Sequence, residues 1–436
     1  MIKRLVLIFG LFMLGQTGFA YDELNLDFFA KFGDDCLVYY INTALENNHD
    51  LKKAEAVVEQ YRQRVRYSLG AELPSFSVSA DYLGVKIPRL DNFHLKENAF
   101  ILPFSVNYEP DFLLKNRDKT RSAKKACTAA LYEEKSVYIS LLSDVATVYL
   151  NILQYDELIK IQEKYYNLRQ KILLSDMKKF ERGVIDSTHL NNSSQNLENA
   201  KNKLESLKKE QAELLMQLAV LSGISPEGSL DMKRGSFSNF EYQAKIPEEI
   251  PSDIIFSRPD VMKAEANLEK AKIDIRIARK EFLPSFNISG LWLFNTIAPG
   301  TFFSWDSSLA LLFAGATQDI FTGGKKLANL RLQKTKYTEL FEEYKQTDLN
   351  ALKEVNTALC FIKHDKTMEE NILSILNYEH KNHDNTKKKY IYGVVSKPEF
   401  LESEINLLDK EKDYTSAKTQ RLVNYFTLYK ASGGKL

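Results

Sequence analysis

The chain contains one long unit twice. "AEAVVEQYRQRVRYSLGAELPSFSVS" at 54–79 aligns without a gap on "AEANLEKAKIDIRIARKEFLPSFNIS" at 264–289, an offset of 210 residues. The same offset pairs Asp50, Lys53, Glu59 and Arg66 with Asp260, Lys263, Glu269 and Arg276. It pairs Val145, Thr147 and Ile152 with Val355, Thr357 and Ile362, and Lys178, Lys179, Gly183 and Val184 with Lys388, Lys389, Gly393 and Val394. Ser222-Gly223 falls on Ser432-Gly433. One offset across nearly the whole chain marks a tandem duplication, so the fold carries internal pseudo-twofold symmetry rather than the many short repeats of a solenoid.

Each copy opens with a helical pattern, about 38–72 and 258–282, that a proline stops at Pro74 and Pro284. Proline lacks the amide and clashes with the preceding turn. The pattern then switches to period two. Phe76, Val78, Ala80 and Tyr82 alternate with Ser75, Ser77, Ser79 and Asp81, and Phe286, Ile288, Gly290, Trp292 and Phe294 do the same in the second copy. Later runs put Phe100, Leu102, Phe104, Val106 and Tyr108 on one face, and Leu309, Leu311 and Phe313 continue the theme. The spacing predicts strands at about 74–87, 99–112, 284–297 and 305–321, aromatic on one face and small or polar on the other.

No glycine or proline occurs from Asp111 to Arg182 or from Lys325 to Tyr392. Apolar residues such as Ile139, Leu142, Val145, Tyr149 and Ile152 recur at helical spacing. A helix from Arg117 to Glu181 would run about 98 Å at about 1.5 Å per residue, a length that fits a coiled coil rather than a compact core. Gly183 and Gly393 break the pattern, and helical spacing resumes at about 187–220 and 397–430, giving two antiparallel hairpins. The stretch 223–257, with "GISPEG" and "IPEEIPS", reads as a linker. The organisation is therefore a signal at 1–20, a first repeat at 21–222 with its hairpin tip near 183, the linker at 223–257, and a second repeat at 258–436 with its tip near 393.

The signal is read from Lys3 and Arg4, the apolar run "LVLIFGLFML" and the small residues ending at Ala20. The residue after that site is Tyr21, not a lipid-accepting cysteine, and no later run reaches the apolar length of a spanning helix. Composition narrows the function. There are 59 basic and 58 acidic residues, a net charge of +1, which excludes a nucleic-acid binder that works through its overall field. Cys36, Cys127 and Cys360, odd in number and scattered, form no disulfide framework.

A secreted chain with strands of this kind meets a physical demand. A soluble sandwich strand looks the same locally, and lipid on one side with a wet lumen on the other demands the same alternation. Open strand edges are forbidden in hydrocarbon, and four strands cannot close a barrel, since the smallest membrane barrels need about eight. The strands must be completed by other copies, in a number the pattern leaves open.

Several stretches carry a resemblance. "FFAKFGDDCLVYYINTALENNHDLKKAEA", the two helix-LPSF-strand junctions, "IPEEIPSDIIFSRPDVMKAEANLEKA" and "ERGVIDSTHLNNSSQNLENA" resemble the outer-membrane efflux proteins, the TolC-like ducts, over essentially all of 25–434. The "RPDV" at Arg258 to Val261 is most similar to the subgroup serving resistance-nodulation-division pumps. The resemblance implies a mainly helical protein with a small β part: long antiparallel hairpins plus four transmembrane strands per protomer. It implies a homotrimer with a 12-stranded barrel in the outer membrane of a Gram-negative bacterium and a helical barrel in the periplasm. It implies passive conduction of drugs or other small molecules, driven by an inner-membrane transporter through a periplasmic adaptor, with the lipid bilayer as a further partner. Two departures stand out. The lipidated cysteine many members carry is absent, and the glycine often found after the second strand is replaced near Leu114, although Gly323-Gly324 is present in the second copy.

In the resembling ducts the hairpin tips form the periplasmic constriction. Glu399 and Glu402, three apart and on one helix face, fall where acidic residues ring it, and Tyr390 falls where a gate tyrosine is expected. The arginine expected two residues after the glycine is Val395 here. The first copy offers His189, Asn192 and the nearby Asp186. Three copies would gather six carboxylates, favouring cations and raising some of their pKa values.

Nothing indicates catalysis, a cofactor or a metal. His380 and His383 stand i, i+3 but lack a third ligand. "TGGKK" at 322–326 lacks the first glycine and the hydroxyl residue of a phosphate loop. Two other readings are weighed: the outer-membrane duct of a type I protein secretion system, and a periplasmic adaptor built on a coiled-coil hairpin. Adaptors carry one hairpin and a glycine-rich β domain, whereas this chain has two hairpins and aromatic-faced strands.

Overall fold

The computed structural model describes residues 25–90, 93–247, 249–296, 305 and 308–436; the signal at 1–20 lies outside them. It divides into two compact units, and neither is one of the sequence repeats. One unit takes the chain up to Asn48, Tyr138–Ile255 and Lys353–Leu436; the other takes His49–Val137 and Phe256–Leu352. Each is built from parts of both copies.

The helices are α1 (Asp27–Ala30), α2 (Asp35–Asn47), α3 (His49–Gly70), α4 (Lys115–Glu181), α5 (Ser187–Leu221), α6 (Ser252–Phe256), α7 (Pro259–Lys280), α8 (Lys325–Ile391) and α9 (Lys397–Ala431). The two long helices, α4 and α8, are 67 residues each, as the absence of glycine and proline predicts. The single helix expected at about 38–72 is two helices, parted at Asn48. Asn48 turns to φ −59°, ψ 130° and its side-chain amide donates to the Leu221 carbonyl at 2.8 Å. A side-chain bond of this kind can end a helix without glycine or proline.

The strands are β1 (Ser75–Val78), β2 (Asp81–Leu90), β3 (Phe93–Tyr108), β4 (Ser285–Thr296) and β5 (Ser308–Thr317). They form one antiparallel sheet in the order β1-β3-β4-β5, with β2 also on β3. β1 and β2 lie along the same edge of β3, opposite 104–107 and 93–101. They act as one strand interrupted at Ser79-Ala80, so the sheet has the four ladder positions expected.

The register corrects one face assignment. Residues paired directly across an antiparallel ladder share a face. Phe76 pairs with Val106, Val106 with Gly290, and Gly290 with Leu312; Phe104 pairs with Trp292, and Trp292 with Ala310. The β5 residue on the aromatic face is thus Leu312. Leu309, Leu311 and Phe313 pair with Leu293, Leu291 and Ser289 on the opposite face. "SLALLFAGAT" is apolar at both phases, so alternation alone could not set its side.

In the unit of the strands, α4 is tied to α7 through Asp118. Its buried carboxylate accepts from Lys280 at 2.7 Å, Arg121 at 3.1 Å and Arg276 at 3.4 Å. Burial pushes this carboxyl up, but the Lys280 and Arg121 bonds and the neighbouring charges outweigh it and hold the pKa below the usual carboxylate range.

In the other unit an aromatic core gathers elements distant in sequence. Phe28 stacks on Tyr429 at 4.9 Å, and Phe32 meets Phe240 at 5.2 Å and Phe426 at 4.8 Å. Leu142, Val145, Tyr149 and Ile152 of α4 are fully buried there. One window of α4 is apolar enough to cross a membrane, yet 61% of it is buried inside the protein, which marks a core helix. The stretch read as a linker contributes to this core through Phe237, Phe240 and Ile255. Tyr149 fixes it in place: its hydroxyl accepts from the Gly235 amide and donates to Asp34, each at 2.9 Å.

Candidate functional site

Both hairpins turn in the same way. Gly183 and Gly393 adopt φ 68° and 71°, the left-handed state that glycine enters without penalty. The Val184 and Val394 amides reach back to Lys179 and Lys389 at 2.8 Å, and the Gly183 and Gly393 amides to Phe180 and Tyr390 at 2.9 and 3.0 Å. This bond pair satisfies the last carbonyls of each long helix. The returning helices start on side-chain caps: Asp186 accepts from the His189 amide at 2.8 Å, and Ser396 from the Glu399 amide at 3.4 Å.

Asp186 is thus the N-cap of α5, and Glu399 sits in the first turn of α9, where a carboxylate is favoured by the helix dipole. Both are exposed. Tyr390 lies flat on Phe400, with ring centroids 5.0 Å apart and planes 6° apart. His383 stacks on the same Phe400 at 5.4 Å, and its Nδ1 lies 3.0 Å from the Ser403 hydroxyl. No group of three metal-ligating side chains occurs among the described residues.

Glu402 is placed differently. It accepts a bond from Arg169 Nη1 of α4 at 2.6 Å. Arg169 Nη2 donates to the Tyr165 hydroxyl at 3.1 Å, and the guanidinium lies 5.1 Å from the centre of that ring. Beside the pair, Ile161, Leu168 and Ile172 of α4 pack in one buried cluster with Leu401, Ile405 and Leu408 of α9. Sequence reasoning found Glu402 and missed Arg169, which stands 233 residues away in a helix rich in charged residues. It also missed Asp176, a buried carboxylate near the first tip. That group accepts from Ser193 at 2.6 Å and stands 3.5 Å from His189 Nε2.

The profile of the outer membrane efflux protein family matches residues 40–224 and again 250–434. The chain belongs to that family. The two matches stand 210 residues apart, the offset of the internal repeat. The efflux protein is 25% identical over 413 residues to the antibiotic efflux pump outer membrane protein ArpC of Pseudomonas putida, covering 92% of this chain and 84% of the relative. It is 25% identical over 430 residues to the cation efflux system protein CusC of Escherichia coli, covering 97% and 92%. In fold it is similar to the CmeC outer membrane channel of Campylobacter jejuni, with a TM-score of 0.87 at 24% identity over 97% of this chain and 91% of that one. The efflux protein is mostly helical with a small sheet, resides in the outer membrane, and belongs to a family of efflux proteins rather than of enzymes.

Proposed function

We propose that the chain is the exit duct of a tripartite efflux system. It passively conducts small molecules handed over by an inner-membrane transporter, of the resistance-nodulation-division type, through a periplasmic adaptor. The observation that carries this reading is the sheet: four ladder positions, open at both edges, in an outer-membrane protein. Phe76, Val78, Tyr82, Trp292 and Leu312 stand exposed on its aromatic face. Unpaired edges in lipid cost several kcal/mol per group, so β5 of one copy pairs with β1 and β2 of the next. Three copies close twelve strands, the aromatic face turned to lipid. The residues at 1–20 are removed on export, and the repeats at 21–222 and 258–436 supply the hairpins of a periplasmic helical barrel.

The tips form its constriction, with Glu399, Glu402, Tyr390 and Asp186 as the candidate gate residues, Gly183 and Gly393 as the turns, and Pro74 and Pro284 at the joins to the barrel. The names of ArpC and CusC, both of efflux systems, support small cargo over protein export. The test is chemical cross-linking of outer-membrane fractions, followed by single-channel recording of the purified protein. A cross-linked trimer that conducts is the expected result. A protein that remains a soluble monomer without detergent overturns the reading.

A further inference from the structure

Four helix ends adjoin the strands. α3 stops at Gly70 and β1 starts at Ser75; β3 stops at Tyr108 and α4 starts at Lys115. α7 stops at Lys280 and β4 starts at Ser285; β5 stops at Thr317 and α8 starts at Lys325. The ends are tied side by side. Glu72 accepts from Thr120 of α4, Asp118 from Lys280 of α7, and Glu281 from Asn329 of α8.

These ends are strongly basic. The stretches 61–72, 115–126, 270–281 and 325–336 hold 19 Lys and Arg against 4 Asp and Glu, in a chain whose net charge is +1. The few carboxylates are engaged within the belt, as Asp118 is with Lys280 and Asp274 with Lys270, each at 2.7 Å. Arg117, Arg279, Lys325 and Arg331 are exposed and make no ion pair among the described residues. The helix dipole does not recruit this charge. α4 and α8 begin here, with Lys115, Arg117, Lys325 and Lys326 in their first turns, where cations are disfavoured. Such a surplus calls for an anion from outside the chain.

A second feature lies between the belt and the sheet. Ile320 and Phe321 are 97% and 88% exposed, and Leu73 and Phe112 are exposed as well. Apolar groups on the strand side and cations on the helix side are the order that a headgroup boundary favours.

We propose that this belt binds anionic phospholipid headgroups of the periplasmic leaflet, phosphatidylglycerol among them. The proposal rests on the duct reading above, which puts the strands in the outer membrane, and adds to it a lipid class. The rival ligand is an anionic solute in the lumen. At about 100° per residue, Lys325, Lys326, Arg331 and Lys334 point in four directions around α8. The charge is therefore not confined to one wall of a lumen, as an anion filter would require.

The test uses the full-length protein in phosphatidylcholine vesicles with a trace of spin-labelled phosphatidylglycerol or spin-labelled phosphatidylcholine. The immobilised fraction of each label gives their relative association with the protein. Phosphatidylglycerol is expected to associate about fivefold more strongly, the ratio equivalent to about 1 kcal/mol from one cation. The preference should fall in 1 M salt, where the screening length is about 3 Å. R117Q/R279Q/K325Q/R331Q should bring the ratio below about twofold. R117K/R279K/K325R/R331K should keep it. K164Q/K171Q/K366Q/K387Q, which removes as much charge from the hairpins, should leave it unchanged.

Equal association of the two lipids with the wild-type protein overturns the proposal, and that result needs no variant to fold. A ratio untouched by R117Q/R279Q/K325Q/R331Q also overturns it. So does an altered anion permeability in that variant without any lipid preference, which assigns the charge to the lumen. A protein that never enters the vesicles overturns the duct reading, and the lipid role of the belt with it.

Discussion

Leu114 sits at φ 58°, a left-handed conformation that costs a residue with a Cβ about 1–2 kcal/mol. The repeat explains it. Leu114 occupies the place of Gly324, which adopts φ 82°. The chain keeps the bend without the glycine because the loop over-determines it. Leu114 N–H donates to the Asp111 carbonyl, and its own carbonyl accepts from the Asp118 amide and Lys280 Nζ, all within 3.0–3.1 Å. Leu114→Gly is expected to stabilise by about 0.5–1 kcal/mol, the relieved strain less the added freedom of the unfolded chain. The thermal midpoint of the detergent-solubilised protein reads it.

Asp348 on α8 gives a pH dependence. Burial, and then the Asp260 charge, push its carboxyl up, with the Tyr344 hydrogen bond opposing. The folded protein binds this proton more tightly than the unfolded one. Its contribution is therefore fully present below the unfolded carboxylate pKa of about 3.9 and is lost as pH rises through the folded value. Asp348→Asn should melt higher than wild type at pH 7, and the gap should close towards pH 4.

At this scale the sequence showed some positions and hid others. Gly183 and Gly393 were legible because the offset pairs them and each breaks a long helical pattern; Glu399 and Glu402 were marked only by the resemblance. Arg169 and Asp118 were not, because a pairing across hundreds of residues leaves no local pattern.

Among the elements, the two long helices were the most legible, since an uninterrupted run without breakers admits little else. The phase of β5 was the least legible. Its two faces are both apolar, and only pairing with β4 determines that Leu312, not Leu309, shares the side of Trp292. That assignment has a measurable consequence. With the aromatic face in lipid, Leu312→Lys should cost about 2–4 kcal/mol, the depth-dependent cost of a cation on a barrel's lipid face, and Leu309→Lys less than about 1. Urea unfolding of the assembled protein in vesicles distinguishes them; equal costs would reverse the assignment. The interrupted first strand follows the same logic. Ser79-Ala80 leaves the ladder while the Ser79 amide still bonds the Pro103 carbonyl at 3.2 Å, a local irregularity that no alternation pattern encodes.

For the molecule as a whole, duplication was visible in the sequence, but the way the copies share their cores was not. Repeats invite the expectation of one domain each. Instead the chain up to Asn48, Tyr138–Ile255 and Lys353–Leu436 assemble one compact unit. The long helix α4 shows how: near its start Asp118 bonds Lys280 of α7, and farther on Ile161, Leu168 and Ile172 pack on Leu401, Ile405 and Leu408 of α9, both partners coming from the second copy.

The stacking of Phe28 on Tyr429 bears on how such a chain reaches its final state. These rings are separated by some four hundred positions, so the head of the polypeptide emerges from the secretion machinery long before its mate exists. Until then Phe28, Phe29 and Phe32 are greasy, unpaired and adhesive. A contact this distant must close a very large loop before it is rewarded, which slows maturation. Holding chaperones that bind short aromatic segments would therefore act on residues 28–32, during the interval before the carboxyl-terminal helix arrives.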